Sequence, residues 1–237
     1  MKAFSYLLVT GLLLGSGRIA FSQNHWYASS GGELIFSFAN LDYAPSPEGQ
    51  VMRFTPFVNL QSFANYDFSP KSGFLTGLAV RNVGYIYKFK DTGLKKKYRN
   101  YVLGIPVGLK FGDMNGLHFY GGYEIEFPFN YKEKTFEDEK KIEKFSVWFS
   151  DRDPALYNTL FVGIQFPYGI NLKFKYYLTP FHNQDYTESD GSKPYAGFND
   201  HVFYFSLSFI IFRNTDFYYF HESGGNRRDT NIQFTNL

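Results

Sequence analysis

The chain has 237 residues, enough for one domain with a substantial core, and 22% of them are aromatic, with 29 Phe and 20 Tyr. Charged residues make up 19% and the formal net charge is +2, too little to make nucleic acid or an acidic partner the main business of the chain. The absence of cysteine excludes disulfides, thiolate metal sites, a Cys nucleophile and lipidation of an N-terminal Cys.

Lys2 opens the chain, Ala3 to Leu14 is almost wholly apolar, and Ala20-Phe21-Ser22 offers an A-x-S cleavage pattern before Gln23. Residues 1–22 therefore read as a Sec-type export signal that is cleaved, with an uncleaved N-terminal anchor as the alternative. The apolar run is shorter than the roughly 20 residues a membrane-spanning helix needs, and no later segment reaches that length. Insertion of residues 23–237 into a membrane would then require a closed barrel, the other structure that satisfies every backbone group in lipid.

From residue 32 onward the hydrophobic period is two. Leu34, Phe36 and Phe38 alternate with Glu33, Ser37 and Ala39, and Phe54, Val58 and Leu60 oppose Arg53, Thr55, Asn59, Gln61 and Asn65. Residues 73–89 are aromatic and Gly-rich, with an ambiguous phase around Arg81-Asn82 that a bulge would explain. Leu103, Ile105, Val107, Leu109 and Phe111 alternate with Gly104, Pro106, Gly108 and Lys110. The clearest run, Leu117 to Tyr131, sets Phe119, Tyr123, Ile125 and Phe127 against His118, Gly122, Glu124 and Glu126. It far exceeds the roughly five or six residues of an ordinary strand. Leu160 to Phe166, Ile170 to Leu178 and Phe203 to Ile211 repeat the pattern, with Lys173 and Lys175 on the polar face of the second.

The connections alternate in length. Long loops at 41–50, 90–98, 132–157 and 181–199 interleave with tight turns at 69–72, 112–116 and 167–169. Eight strands with long loops on one side and tight turns on the other describe an all-β, antiparallel up-and-down transmembrane β-barrel over residues 23–212. Ten strands arise if residues 213–237, otherwise a periplasmic tail, contribute a hairpin; a soluble β-sandwich is the other alternative.

With strands such as V-M-R-F-T-P-F-V-N-L, G-L-A-V-R-N-V-G-Y-I-Y and Y-G-G-Y-E-I-E-F-P-F, extended loops and an export signal, the chain resembles the small bacterial outer-membrane β-barrel proteins, the OmpX-like and PorT-like group. The resemblance covers essentially the whole mature chain and implies a location in a Gram-negative outer membrane. It does not transfer an activity, since members are structural, adhesive, or parts of secretion and assembly machines.

The polar face collects Glu33, Arg53, Arg81, Lys110, His118, Glu124, Glu126, Lys173 and Lys175. In an eight-stranded barrel the lumen is just filled by its own side chains, so these charges are expected to pair and close it, with Glu124 and Glu126 facing Lys173 and Lys175. Lys95, Lys96, Lys97 and Arg99, together with Lys88 and Lys90, concentrate positive charge at the second long loop, either as a solvated hairpin tip or as a contact for lipopolysaccharide phosphates at the outer leaflet. In the third loop the mixed charges of 132–145 would allow a short helix through i,i+4 pairs. Its Phe136, Phe145, Trp148 and Phe149 would bind a partner or cap the barrel mouth.

No catalytic residue, metal ligand or cofactor emerges. His221-Glu222-Ser223, the one His-x-Ser, resembles the pair of lipid A deacylase barrels but lies beyond the last strand. His182 and His201, with Asp185, Glu188, Asp190 and Asp200 nearby, would matter only if they converge at the outer rim. The leading reading is a non-enzymatic outer-membrane scaffold that contacts membrane lipid, lipopolysaccharide and envelope proteins, including as an accessory subunit of a secretion or assembly complex. The alternatives are a barrel enzyme acting on lipid A or protein, and a narrow porin-like channel.

Overall fold

Long alternating segments send successive side chains to opposite faces, so a strand built from them must bury one face and expose the other. In the computed structural model, which describes residues 26–42, 49–88 and 93–213, that requirement is met by strands alone apart from one short 3-10 turn. The strands are β1 (Trp26–Asp42), β2 (Gly49–Val51), β3 (Arg53–Thr55), β4 (Leu60–Ser69), β5 (Ser72–Val83), β6 (Ile86–Lys88) and β7 (Lys95–Gly112). They continue with β8 (His118–Glu137), β9 (Lys140–Trp148), β10 (Tyr157–Gln165), β11 (Ile170–Tyr177) and β12 (Asn199–Arg213). The export-signal reading of residues 1–22, most of the first loop, Lys90, the tail beyond Arg213 and His221-Glu222-Ser223 lie outside the described residues.

All twelve strands join one sheet, and its ladders are antiparallel throughout. Neighbours follow the order β1–β4–β5–β7–β8–β10–β11–β12, and β12 pairs back onto β1 from Ser29↔Arg213 to Asp42↔Asn199. The sheet is therefore a closed ring of eight. β3 prolongs the β1 ladder, β6 prolongs the edge of β7, and β9 takes over from β10 along the upper half of β8. A sandwich would show two sheets with open edges, and a ten-stranded ring would need a hairpin between β12 and β1. Their direct pairing removes both alternatives.

The faces are inverted relative to a soluble protein. On β7, Leu103, Ile105, Val107, Leu109 and Phe111 are exposed, whereas Val102 and Lys110 are buried. Leu60, Leu78, Phe119, Leu160, Val162, Leu172 and Phe205 continue the exposed apolar surface around the ring. Leu103 to Phe111 covers about 26 Å of strand, or about 20 Å of height at the usual tilt near 40°. Tyr101, Phe129 and Trp148 stack in a row just above this belt, with centroids 6.1 and 6.0 Å apart. Such aromatic rows mark the headgroup level in membrane barrels.

Two local expectations are corrected. Residues 132–145 form no helix; β8 runs on to Glu137 and turns through Asp138 and Glu139, both at positive φ (45° and 64°), into β9. Two left-handed residues make the tight hairpin turn, and the continuous ladder of β8 on β7 outweighs the modest i,i+4 charge pairs that favour helix. Likewise Lys95, Lys96, Lys97 and Arg99 belong to β7 and not to a loop, because their backbones pair with Phe136, Thr135, Lys134 and Lys132 of the same extension.

Candidate functional site

The lower and middle lumen is a stack of buried charges. Near the tight-turn end, Lys110 Nζ lies 2.5 Å from Asp67 and 2.9 Å from the Tyr27 hydroxyl. His118 is buried in the same region. Above it, Arg81 from β5 sits between carboxylates contributed from both sides of the ring. Its Nε donates to Glu33 at 2.9 Å and its Nη1 to Glu124 and, at 3.3 Å, Glu126. Lys173 reaches Glu33 at 2.8 Å, and Lys175 bridges Glu124 at 2.8 Å and Glu126 at 2.5 Å. The Tyr177 hydroxyl donates to the remaining Glu126 oxygen at 2.5 Å. Three carboxylates thus meet three cations, all essentially without solvent contact, so no net charge is stranded in a low-dielectric interior. Gly104 faces this cluster, and a Cβ there would overlap the Glu124 carboxylate.

The upper lumen departs from the expected polar filling. Tyr85, Tyr98, Tyr131, Tyr157, Tyr177 and Tyr204 point inward and are buried. The loop after β11 folds down into the mouth and adds Phe181, His182, Tyr195 and Phe198. His182 is the centre of this plug. Its ring stacks on Tyr195 at 4.2 Å and meets Tyr98 edge-on at 4.6 Å. Its Nδ1 lies 2.5 Å from Asp200, its Nε2 3.1 Å from the Tyr131 hydroxyl, and Tyr85 donates to Asp200 at 2.7 Å. Sequence patterning missed this group because the loop reads as polar; the aromatic residues bracketing His182 and Asp200 were the available signal. His182 and Asp200 do converge, yet both are sealed beneath Tyr195, and His201 lies apart on the wall, bonded to the Tyr177 carbonyl. The pair is a packing element of the plug and not a group presented at the rim.

Outside the plug the long-loop end of the barrel splits the remaining candidates by strand parity. Lys96 turns inward to pair with Glu133 at 2.8 Å, while Lys97 and Arg99 turn outward; Lys95 pairs with Glu139 at 2.6 Å. Phe145 faces the mouth under the Arg152 guanidinium, 4.9 Å from its ring centroid. Phe136 lies by Lys95 on the outer face, and Trp148 and Phe149 are among the most exposed apolar residues, at 65% and 78%.

Asp153, between β9 and β10, is buried at the mouth. Burial pushes its carboxyl up to about 7, against the pull of hydrogen bonds from Asn100 and Ser150. A raised carboxyl pKa means that the folded chain keeps a proton the unfolded chain releases near pH 4, so this contribution is full below about pH 4 and lost by about pH 7. Asp153→Asn is expected to flatten that slope and to stabilise the mouth at pH 8 by on the order of 2–4 kcal/mol. Urea midpoints measured from pH 5 to pH 8 check this, and parallel pH profiles for both proteins would refute it.

Ring closure, an apolar exterior and a charge-paired interior define an eight-stranded barrel of the membrane type. No protein-family model matches the sequence, and no curated protein shows significant similarity to it. Among solved structures the chain is similar to Ail, the attachment invasion locus protein of Yersinia pestis, at 12% identity and a TM-score of 0.39, over 81% of this chain and 99% of that one. It is also similar to Neisserial surface protein A, at 12% identity and a TM-score of 0.37, over 78% and 95% of the two chains. The closed ladder itself, and not these likenesses, defines the fold.

Proposed function

We propose that the chain is an integral protein of a bacterial outer membrane whose barrel is a sealed, rigid anchor for the surface carried on its external end. The observation that carries this reading is the inversion of the molecule: aliphatic and aromatic residues ring the outside while Arg81, Lys173, Lys175, Glu33, Glu124 and Glu126 neutralise one another inside. An exposed apolar belt of this size is costly in water and stabilised by hydrocarbon. The lumen is blocked twice, by the ion-pair stack and by the His182-centred aromatic plug, which favours an anchor over a porin-like channel.

The external end supports a contact role. The β8–β9 hairpin extends past the belt with Ile142, Trp148 and Phe149 exposed, and β9 offers an edge that no other described strand covers. Such an edge with apolar anchors suits an envelope protein that adds a strand to it, as an accessory subunit of an assembly or secretion complex would require. Planar-bilayer recording of the refolded protein tests the anchor: no stepwise conductance is expected, and reproducible open steps would replace it with a channel. Mild-detergent purification from native membranes tests the contact role, with a stoichiometric partner lost on truncation of residues 138–147 as the expected result.

A further inference from the structure

The outer face of the barrel just above the aromatic row carries cations directly opposite one another. Lys97 pairs across the ladder with Lys134, Arg99 with Lys132, and Lys134 with Lys144. Like charges at directly opposed positions destabilise a sheet. Among the described residues, none of these five side chains meets a carboxylate within ion-pair distance, in contrast to their neighbours Lys95 and Lys96. The arrangement raises the question of what neutralises it.

A second feature lies at the same place. Arg53 is on the inward face of β3 and 2% exposed, yet it lines a cavity of about 190 Å³ in the wall together with Lys97, Arg99, Lys132 and Lys134. Two of its nitrogens are satisfied by Asn82, through the backbone carbonyl at 3.2 Å and the side-chain oxygen. Its Nε, like that of Arg99, is buried without a hydrogen-bond partner. Buried charged donors left unmade are expensive, and a guanidinium that meets no acid is suited to oxyanion recognition. The cavity is flanked by exposed Phe54 and Phe57, with Val58 and Leu60 exposed below them towards the belt.

We propose that this cavity is a built site for a phosphate of a phosphorylated glycolipid headgroup in the outer leaflet, the lipid A moiety of lipopolysaccharide. The inference rests on the outer-membrane reading and gives it a specific lipid contact. Arg53 and Arg99 supply directed donors to the phosphate oxygens, and Lys97, Lys132 and Lys134 supply the surrounding positive field. Phe54, Phe57 and Val58 receive the first methylenes of the acyl chains. The apolar flank distinguishes this occupant from free phosphate, which would gain nothing from it. The cluster also borders the Tyr101–Phe129–Trp148 row, with the Arg99 guanidinium 4.4 Å from the Tyr101 ring centroid, and such aromatic rows mark the headgroup level.

The test uses the refolded mature barrel in detergent, with native mass spectrometry reading retained lipid. Bis-phosphorylated lipid A, the same lipid dephosphorylated, and inorganic pyrophosphate are the three probes. Lys97→Gln/Lys134→Gln removes two half-exposed cations and is expected to fold normally, as judged by heat-modifiable migration, yet to hold lipid A at least tenfold more weakly. Arg53→Met serves as the second variant, and Lys140→Gln/Lys141→Gln on the hairpin tip as the control. Equal retention of lipid A by wild type and the Lys97/Lys134 variant would overturn the site, as would equal retention of the dephosphorylated lipid. Full displacement of lipid A by pyrophosphate would reduce it to a general anion pocket. Equal lipid A retention by a Lys97/Lys134 variant that still migrates as a folded barrel would sink this site and leave the membrane-anchor reading standing, whereas failure of the wild type to fold as a barrel would sink that reading itself.

Discussion

Arg81→Met is expected to cost the barrel about 3–5 kcal/mol, the range for removing one partner of a buried ion-pair cluster. Arg81 is the only cation that touches all three lumen carboxylates Glu33, Glu124 and Glu126 among the described residues. Without it Lys173 and Lys175 face three acids, and one negative charge is left uncompensated where almost no water reaches. The loss therefore exceeds that of deleting an exposed pair, for which about 1 kcal/mol is the upper end. Urea titration in lipid vesicles, followed by tryptophan fluorescence, measures it. Adding Glu124→Gln to Arg81→Met should restore part of the stability by removing the surplus charge. A loss below about 1 kcal/mol, or a double variant no better than the single, would mean that the lumen is wetter than the packing indicates.

His182→Ala acts on the other closure. The imidazole touches Tyr85, Tyr98, Tyr131, Phe181, Tyr195 and Phe198, so its deletion leaves a cavity in a packed aromatic cluster. Deleting a buried ring of this kind costs about 3–5 kcal/mol where the surroundings cannot collapse. Asp200 keeps the Tyr85 hydroxyl and the backbone N–H of residue 182, so the damage should centre on the loop and not the wall. Faster hydrogen exchange and proteolysis between residues 178 and 198, with the β7–β8 ladder still protected, is the expected result. Uniform destabilisation of the whole ring would show that the plug is part of the barrel's single cooperative unit. Unchanged exchange would show that the loop holds its place without it.

How far local pattern reaches is visible in individual residues. Alternation alone assigns Leu103 to Phe111 to one face of a strand and Glu124, Glu126, Lys173 and Lys175 to the other, because side-chain direction in a strand depends only on parity. The cysteine-free, aromatic-rich composition and the alternation of long and short connections then point to a closed barrel and to eight strands. Partner identity is beyond that reach. Arg81 meets Glu33 and Glu124 from positions 48 and 43 residues away, and those contacts exist only once ring closure sets the register of every ladder. The 132–145 segment shows the opposite failure: its charge spacing suits helix, and only the neighbouring β7 edge makes it a hairpin. The loop carrying His182 reads as solvent-exposed because nothing local reveals that the barrel mouth is lined with tyrosines that can bury it. Parity, composition and loop rhythm were therefore determined by the chain itself. The ion-pair partners, the aromatic plug and the facing cations at Lys97, Lys134 and Arg53 were decided by tertiary structure, since each joins residues that only the closed sheet brings within contact distance.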